Sequence, residues 1–294
     1  MLKSRQDAVR GLLLAGVLLP ILACSAREHS SIIVRDDLAR DVAVPADIRR
    51  VVTLAPNLTE IVFAIGAEKC LVATDSFSDT PNAARQLPKV GGLNPSAERI
   101  RQARPDVVIA TTNGNPPTLA ASLEAAHVPL FVLRTDRLDD IPRAMETLGR
   151  LLAADRSVEA AEAVRSAVER QRRTRTKAPR VLFAVWADPL YAGGRDTFAD
   201  DLLRLTGATN AVPVKGWPQL SLETVTANPP DIVIYPDRSI APEQLRALVE
   251  RVPVLRSAKI VPVDENLFTR PGPRVGETAA ALNALLDRWE RGKL

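Results

Sequence analysis

Two stretches of this 294-residue chain, 125 positions apart, carry one spacing. In the first, Glu98 leads to Pro105-Asp106 and the apolar triplet Val107-Val108-Ile109. In the second, Glu223 leads to Pro230-Asp231 and Ile232-Val233-Ile234. Earlier in each half, a strand-like and a helix-like run close on Gly-Ala, at Gly66-Ala67 and at Gly207-Ala208. One such match could be chance. Two in the same order indicate two similar lobes.

Around these landmarks, short β-branched runs bounded by Pro, Gly or Asp alternate with helical patterns. Val51–Leu54, Leu71–Thr74, Val107–Ile109 and Val128–Leu133 read as strands, with a helix over Thr59–Ile65. The second half begins again with strands at Val181–Val185, Ile232–Ile234 and Ile260–Val263, and a helix at Phe198–Leu205. This alternation predicts an α/β fold in which each lobe has a mainly parallel sheet flanked by helices.

The intervening stretch, Leu138–Lys177, has no Gly or Pro after Gly149. Pro142 suits a first helical turn. From Ser157, which can cap a helix, the pattern is Ala- and Glu-rich, with Val158, Ala161, Val164 and Val168 on one stripe. A helix over Ser157–Arg175 at ~1.5 Å per residue would be a rod of about 28 Å. The predicted division is therefore a signal peptide over residues 1–23, a tether and lead-in over 24–48 and a first lobe over 49–137. A helical segment with a rigid inter-lobe helix follows over 138–178, then a second lobe over 179–294, with a ligand cleft between the lobes.

The N-terminus predicts export. Lys3, Arg5 and Arg10 precede an apolar run from Gly11 to Ala23, about half the ~20 residues needed to cross a bilayer. Its end, Ile21-Leu22-Ala23-Cys24, resembles the bacterial lipoprotein processing box, in which the cysteine is lipidated and becomes the first residue. The alternative is an ordinary signal peptide with an incidental cysteine. Only Cys70 then remains, too few thiols for an internal disulfide or a structural zinc site, and its apolar setting reads as buried filler. Removing the signal peptide lowers the formal net charge from +4 to about +2. No basic stripe interleaves with aromatics, so no nucleic-acid partner is expected. Motifs of phosphate-binding loops, dinucleotide folds and nucleophile elbows are missing. Asp75 and Asp79 could form a catalytic carboxylate pair, but both sit in a turn-like loop where Asp is common.

From about Arg50 to the C-terminus the sequence resembles the helical-backbone (class III, TroA-like) solute-binding proteins of ABC importers, and among them the vitamin B12 carriers. The resemblance rests on Arg50–Gly66, on Phe77 with Ser78-Asp79-Thr80-Pro81, and on Asn94–Ile100 with Pro105-Asp106. It continues through Gly216-Trp217-Pro218-Gln219 leading to Glu223, and the closing Arg270–Arg274 (RPGPR). It implies a monomeric, non-enzymatic receptor at the extracytoplasmic face, held by its lipid alone, that delivers a small ligand to permease subunits. It implies neither cofactor nor resident metal.

The resemblance also implies site residues. Glu98 and Glu223 match the acidic residues, one per lobe, that dock onto permease arginines; alternatively each merely caps a helix behind Ser96 or Ser221. Phe77, Trp217 and Arg270 match ligand contacts. Val90 and Thr111 stand where the B12 carriers have tryptophan, and Trp186 and Tyr191, in a second-lobe loop, are candidate compensating contacts. Trp289 reads as core. A corrinoid is the expected ligand. Haem, through Tyr191 or Tyr235, and a ferric siderophore, through Arg195 and Arg270, remain alternatives, with a lipid-anchored periplasmic enzyme as the rival from another class. Metal-ion capture is disfavoured by the scarcity of histidine, His29 and His127 alone.

Overall fold

The β-branched runs that alternate with helical patterns do form parallel strands. In the computed structural model, which describes residues 30–294 apart from 113, 115 and 116, an antiparallel hairpin comes first, β1 (Ser31–Arg35) and β2 (Asp41–Pro45). The first lobe follows with β3 (Val51–Thr53), α1 (Pro56–Ala64), β4 (Leu71–Thr74), α2 (Ala97–Gln102), β5 (Val107–Thr111), α3 (Pro117–Ala125) and β6 (Leu130–Leu133). Two helices, α4 (Asp140–Leu151) and α5 (Ser157–Glu169), lead to the second lobe. That lobe holds β7 (Arg180–Ala187), β8 (Leu190–Ala192), α6 (Phe198–Leu205), β9 (Thr209–Asn210), α7 (Leu222–Ala227) and β10 (Ile232–Pro236). It closes with α8 (Pro242–Arg251), β11 (Lys259–Val263), α9 (Glu265–Phe268) and α10 (Val275–Glu290).

The two sheets share one strand order. The first runs β4-β3-β5-β6, all parallel. In the second, β9, β10 and β11 run parallel in the order β9-β7-β10-β11, and β8 adds antiparallel to the far end of β7. Successive residues of β5 and β10 face different apolar clusters, Ile109 and Ile234 inward, Val108 and Val233 outward, because helices cover both sheet faces. The inner cluster is continuous from β3 and α1 of the first lobe through α4 and α5 to β7, α6 and α10 of the second.

The duplicated sequence landmarks have duplicated physical roles. Asp106 accepts the backbone N–H groups of Arg49 and Arg50 at 2.7 and 2.8 Å, and Asp231 accepts that of Arg180 at 2.8 Å. Each Pro-Asp therefore pins the strand it begins to the first strand of its own sheet. Each Gly-Ala ends a helix in the same way: Ala67 N–H reaches Val62 O, and Ala208 N–H reaches Leu203 O. Those six-residue closures need a positive φ at Gly66 (81°) and Gly207 (76°), which glycine adopts without a Cβ clash.

The linker differs from the single long rod. It is a pair of helices packed on each other, α4 against α1 and α5 against α10. Helix α5 stops at Glu169, about 20 Å of helix, because the chain must turn to place Arg175. The Arg175 side chain is 4% exposed and binds Asp287, Glu290 and the Thr206 carbonyl. Ser157 does not cap α5. It is buried against Gly149, where any Cβ would collide with it, so Ser157–Gly149 is the close approach of the two helices. Val158 is 66% exposed, and the buried stripe is Ser157, Ala161 and Val164.

Residues 31–45, expected as lead-in, are instead a built hairpin. Val42 and Val44 enter the inner core, Asp37 N–H donates to Val132 O at 2.9 Å, and Arg143 binds the Asp37 carboxylate at 2.8 Å. Cys70 is partly buried on the same core, where burial pushes its thiol up. Trp289 also packs there, with Lys177 Nζ 5.2 Å from its ring centre. The signal-peptide residues and Cys24 lie outside the described residues. Among the described residues no helix is long and apolar enough to cross a membrane.

Candidate functional site

In parallel sheets of this kind the strand ends, where loops diverge, form a crevice at the carboxyl edge. Here the carboxyl edges of both sheets border one cavity of about 760 Å³. Leu54 and Ala55 after β3, Asp75 after β4, Thr111 of β5 and Thr135 after β6 contribute from the first lobe. Val185 of β7, Pro236 of β10 and the segment Phe268–Pro271 contribute from the second. The floor is apolar. Phe183 and Phe268 stack with ring centres 6.3 Å apart, beside Phe198.

Two half-exposed aromatics wall the cavity, one from each lobe: Phe77 and Trp217. Each ring lies on a glycine. A Cβ built on Gly92 would stand 2.9 Å from Phe77 Cε2, and one on Gly193 would stand 3.1 Å from Trp217 Cζ3. The loop under Phe77 is tightly held. Asp75, buried, accepts the Phe77 N–H at 2.7 Å and the Ser78 hydroxyl, which also bonds Thr59 Oγ1. Desolvation raises the Asp75 carboxyl above its ordinary range, against those hydrogen bonds. Lys89 Nζ ties the same loop to Thr74 Oγ1, Ser78 O and Ala84 O, and burial lowers its ammonium. Asp75 and Asp79 are thus loop and lobe fasteners.

At the cavity's back edge the lobes are ion-paired. Arg270 Nη1 donates to Asp79 Oδ1 at 2.6 Å and lies 3.4 Å from Glu60 Oε1, while Nη2 donates to Phe77 O at 3.1 Å. Arg274 grips both oxygens of Glu60 at 2.8 and 2.9 Å. The side chains of Arg270 and Glu60 are only 9% and 5% exposed. Asn57 of α1 adds a bond to Pro271 O at 3.0 Å. Arg270 therefore lines the cavity as expected, yet its guanidinium is spent on the partner lobe.

The other candidates separate. Trp186 and Tyr191 face each other across the β7–β8 pair on exposed surface and are not among the cavity-lining residues. Trp186 Nε1 bonds Asp188 O at 3.0 Å, and Tyr191 Oη donates to Gln219 Oε1 at 3.4 Å. Tyr235 is buried in the outer core of the second sheet, and Arg195, whose backbone pairs with Val214 and Gly216, is not among the described residues lining the cavity. Val90 is core, whereas Thr111 lines the cavity. Sequence reasoning missed Phe183, Phe198, Phe268, Arg238 and Glu265. Phe183 and Phe198 fall inside runs read only as strand and helix, and only the nearness of the three phenylalanines to strand or helix ends could have marked them.

Glu98 and Glu223 occupy equivalent places. Each is the second residue of a six-residue helix whose cap is a serine: Ser96 accepts the Arg99 N–H, and Ser221 accepts the Thr224 N–H. Both carboxylates are exposed. Hydrogen bonds from Arg101 and Gln102 hold Glu98 below its ordinary range; its own N–H and the Ser221 hydroxyl do so for Glu223. The serine side chains accept the backbone N–H groups at both helix starts, and both glutamates are held by local hydrogen bonds.

Comparison with known proteins agrees with this architecture. The family model described as periplasmic binding protein matches residues 51–263. A vitamin B12-binding protein of Pectobacterium atrosepticum is 30% identical over 243 residues, covering 77% of this chain and 84% of that one. Among solved structures, the periplasmic heme-binding protein RhuT from Roseiflexus sp. RS-1, in apo form, superposes with a TM-score of 0.72 at 27% identity, covering 81% of this chain and 97% of that one. A periplasmic heme-binding protein from Pseudomonas aeruginosa gives 0.71 at 30% identity, covering 81% and 92%.

Proposed function

The chain belongs to the periplasmic binding protein family, and on that premise we propose that it is a lipid-anchored receptor delivering a corrinoid to an ABC importer. Its relatives are substrate-binding transport proteins, and the chain is a binding protein with no enzymatic role.

The carrying observation is the cavity between the lobes: about 760 Å³, floored by phenylalanines and walled by Phe77 and Trp217. Such a space suits a large, flat, partly apolar ligand fixed by a few polar groups. Corrinoid and haem both have that shape. They differ in what they ask of the protein. A cobalamin can bring its own ligands to cobalt, whereas protein-held haem iron usually takes a His, Tyr, Cys or Met side chain. None of those four residue types is among the described residues lining the cavity. Tyr235 is in the core and Tyr191 outside, which weakens the haem alternative. The siderophore alternative loses Arg270, whose charge is already paired.

The test is titration of the purified protein with cobalamin, haem and a ferric siderophore, followed by visible absorption and tryptophan fluorescence. Stoichiometric binding of cobalamin, tighter than the others, is the expected result. Preference for haem or siderophore would transfer the protein to that branch of the family, and turnover of any ligand would reverse the receptor reading.

A further inference from the structure

The loop after β10 carries a cation to the cavity wall. Pro236, Arg238 and Ser239 line the cavity there, and Arg238 is exposed. The turn beneath it is fixed. Ile240 N–H reaches Pro236 O at 3.3 Å, and both of these residues are buried. Asp237 N–H donates to Val263 O at 3.0 Å, and Asp237 Oδ1 accepts the Glu265 N–H at 3.2 Å, which ties the turn to β11 and α9.

The guanidinium is held as well. Arg238 Nη2 donates to Asn266 Oδ1, while Asn266 Nδ2 donates to Asp79 Oδ2 at 3.4 Å. An amide can do both only with its oxygen toward the arginine, so its two partners orient Asn266. Asp79 in turn binds Arg270, and Arg270 reaches Glu60. A polar chain therefore runs outward from the closed junction of the lobes, and exposure rises along it to Arg238. Within the junction, Arg270 and Arg274 offset Glu60 and Asp79, so Arg238 is the member of the chain whose charge meets the cavity. A guanidinium has five N–H donors in a planar fork that fits two oxygens of a phosphate or carboxylate, and Asn266 takes one of them. Holding such a long side chain in advance reduces the ordering cost of binding.

We propose that Arg238 is a specificity-determining residue that binds the anionic oxygen group of the ligand, in a cobalamin the phosphodiester of its nucleotide loop. This rests on the macrocycle-binding reading of the same cavity. The phenylalanine floor and the Phe77 and Trp217 walls suit a flat ring, but they do not read what hangs from it. A corrin carries neutral amides around its edge, and the phosphodiester is the negative charge that the nucleotide loop adds. A guanidinium fork held at the end of β10 gains its charged partner only when that loop is present. Arg238 thereby separates a complete cobalamin from the corrin ring alone.

The experiment titrates cyanocobalamin and dicyanocobinamide, the corrin without its nucleotide loop, into the wild type, Arg238→Gln and Arg238→Lys. Arg238→Gln should weaken cyanocobalamin by at least about ten-fold, the scale of one hydrogen bond between charged groups, and dicyanocobinamide by much less. The change in the ratio of the two affinities isolates the contact from any general effect of the substitution. Arg238→Lys keeps the charge without the fork and should recover part of the ratio. Added salt should weaken cyanocobalamin more in the wild type than in Arg238→Gln. An equal loss for both corrinoids, or no loss for either, overturns the role of Arg238 while leaving the corrinoid reading intact. If neither corrinoid binds, haem and its dimethyl ester replace the pair. A preference for the free acid that Arg238→Gln removes then supports Arg238 as the anion contact while overturning the corrinoid. Binding of neither scaffold overturns both.

Discussion

Arg270, beyond α9 in the second lobe, donates to Asp79 of the first at 2.6 Å across 191 positions of sequence. The same guanidinium reaches Glu60, which Arg274 also binds, so two arginines of the second lobe are locked to two carboxylates of the first. A receptor joined this way, and by the helix pair α4–α5, has little freedom for wide lobe closure. Ligand affinity is then set by walls already in place.

Arg270→Ala should destabilise the fold by about 3 kcal/mol, the low end for stripping a partner from a buried ion pair, because Arg274 still serves Glu60. Denaturant titration measures this, and a loss under about 0.5 kcal/mol would demote the pair to surface decoration. The pH dependence follows from Asp79. Desolvation pushes its carboxyl up, but the hydrogen bond and charge of Arg270 outweigh that and hold it below the ordinary value of 3.8. A depressed carboxyl contributes stability in full above the unfolded value, and that contribution is lost as pH falls through the lower folded one. The stability gap between wild type and Asp79→Asn should therefore be flat near neutrality and close in acid.

Truncating either wall should cost affinity with little change in fold stability. Phe77→Ala and Trp217→Ala should each weaken the true ligand by on the order of 1–3 kcal/mol. The glycines beneath them should behave differently from each other. Gly92→Ala pushes on the exposed Phe77 ring alone, so affinity should move and the melting temperature should not. Gly193→Ala also meets Ala199 Cβ of buried α6 at 2.6 Å and should destabilise by about 1–3 kcal/mol. Equal effects of the two glycine variants on stability would contradict this packing.

Charge reversal at Glu98 or Glu223 should leave ligand titrations unchanged and reduce transport through the cognate permease. Neither residue lines the cavity. Glu98 already carries a local ion pair to Arg101 at 2.8 Å, so Glu223→Lys should show the larger loss of docking. Docking should also weaken as salt rises. Transport by the double reversal at the wild-type rate would remove the permease from the proposal.

Cys24→Ser should release the mature protein from membranes or leave its precursor unprocessed. A protein whose N-terminus and membrane association are the same with and without the change would have an ordinary signal peptide.

Most of what the chain's local patterns imply survives in three dimensions. Strand and helix periodicity depend on neighbours within a few residues, so Leu71–Thr74 and Phe198–Leu205 appear at the spans read from the sequence. The repeated Pro-Asp and Gly-Ala were legible because each does its work within one lobe, pinning a strand or closing a helix. Phe77 and Trp217 were named because they match ligand contacts of the family that the chain resembles, and both lie on the cavity wall. What only the tertiary structure decided lies in contacts between distant segments. The end of α5 is set by Arg175 reaching α10, and the hairpin's place by Val42, Val44 and Asp37 reaching the first lobe. The occupation of Arg270 depends on Glu60 and Asp79, and the exposure of Trp186 and Tyr191 on which neighbours the sheet edge supplies. No local pattern encodes these, because the groups that satisfy a guanidinium or cover a ring come together only when both lobes have folded.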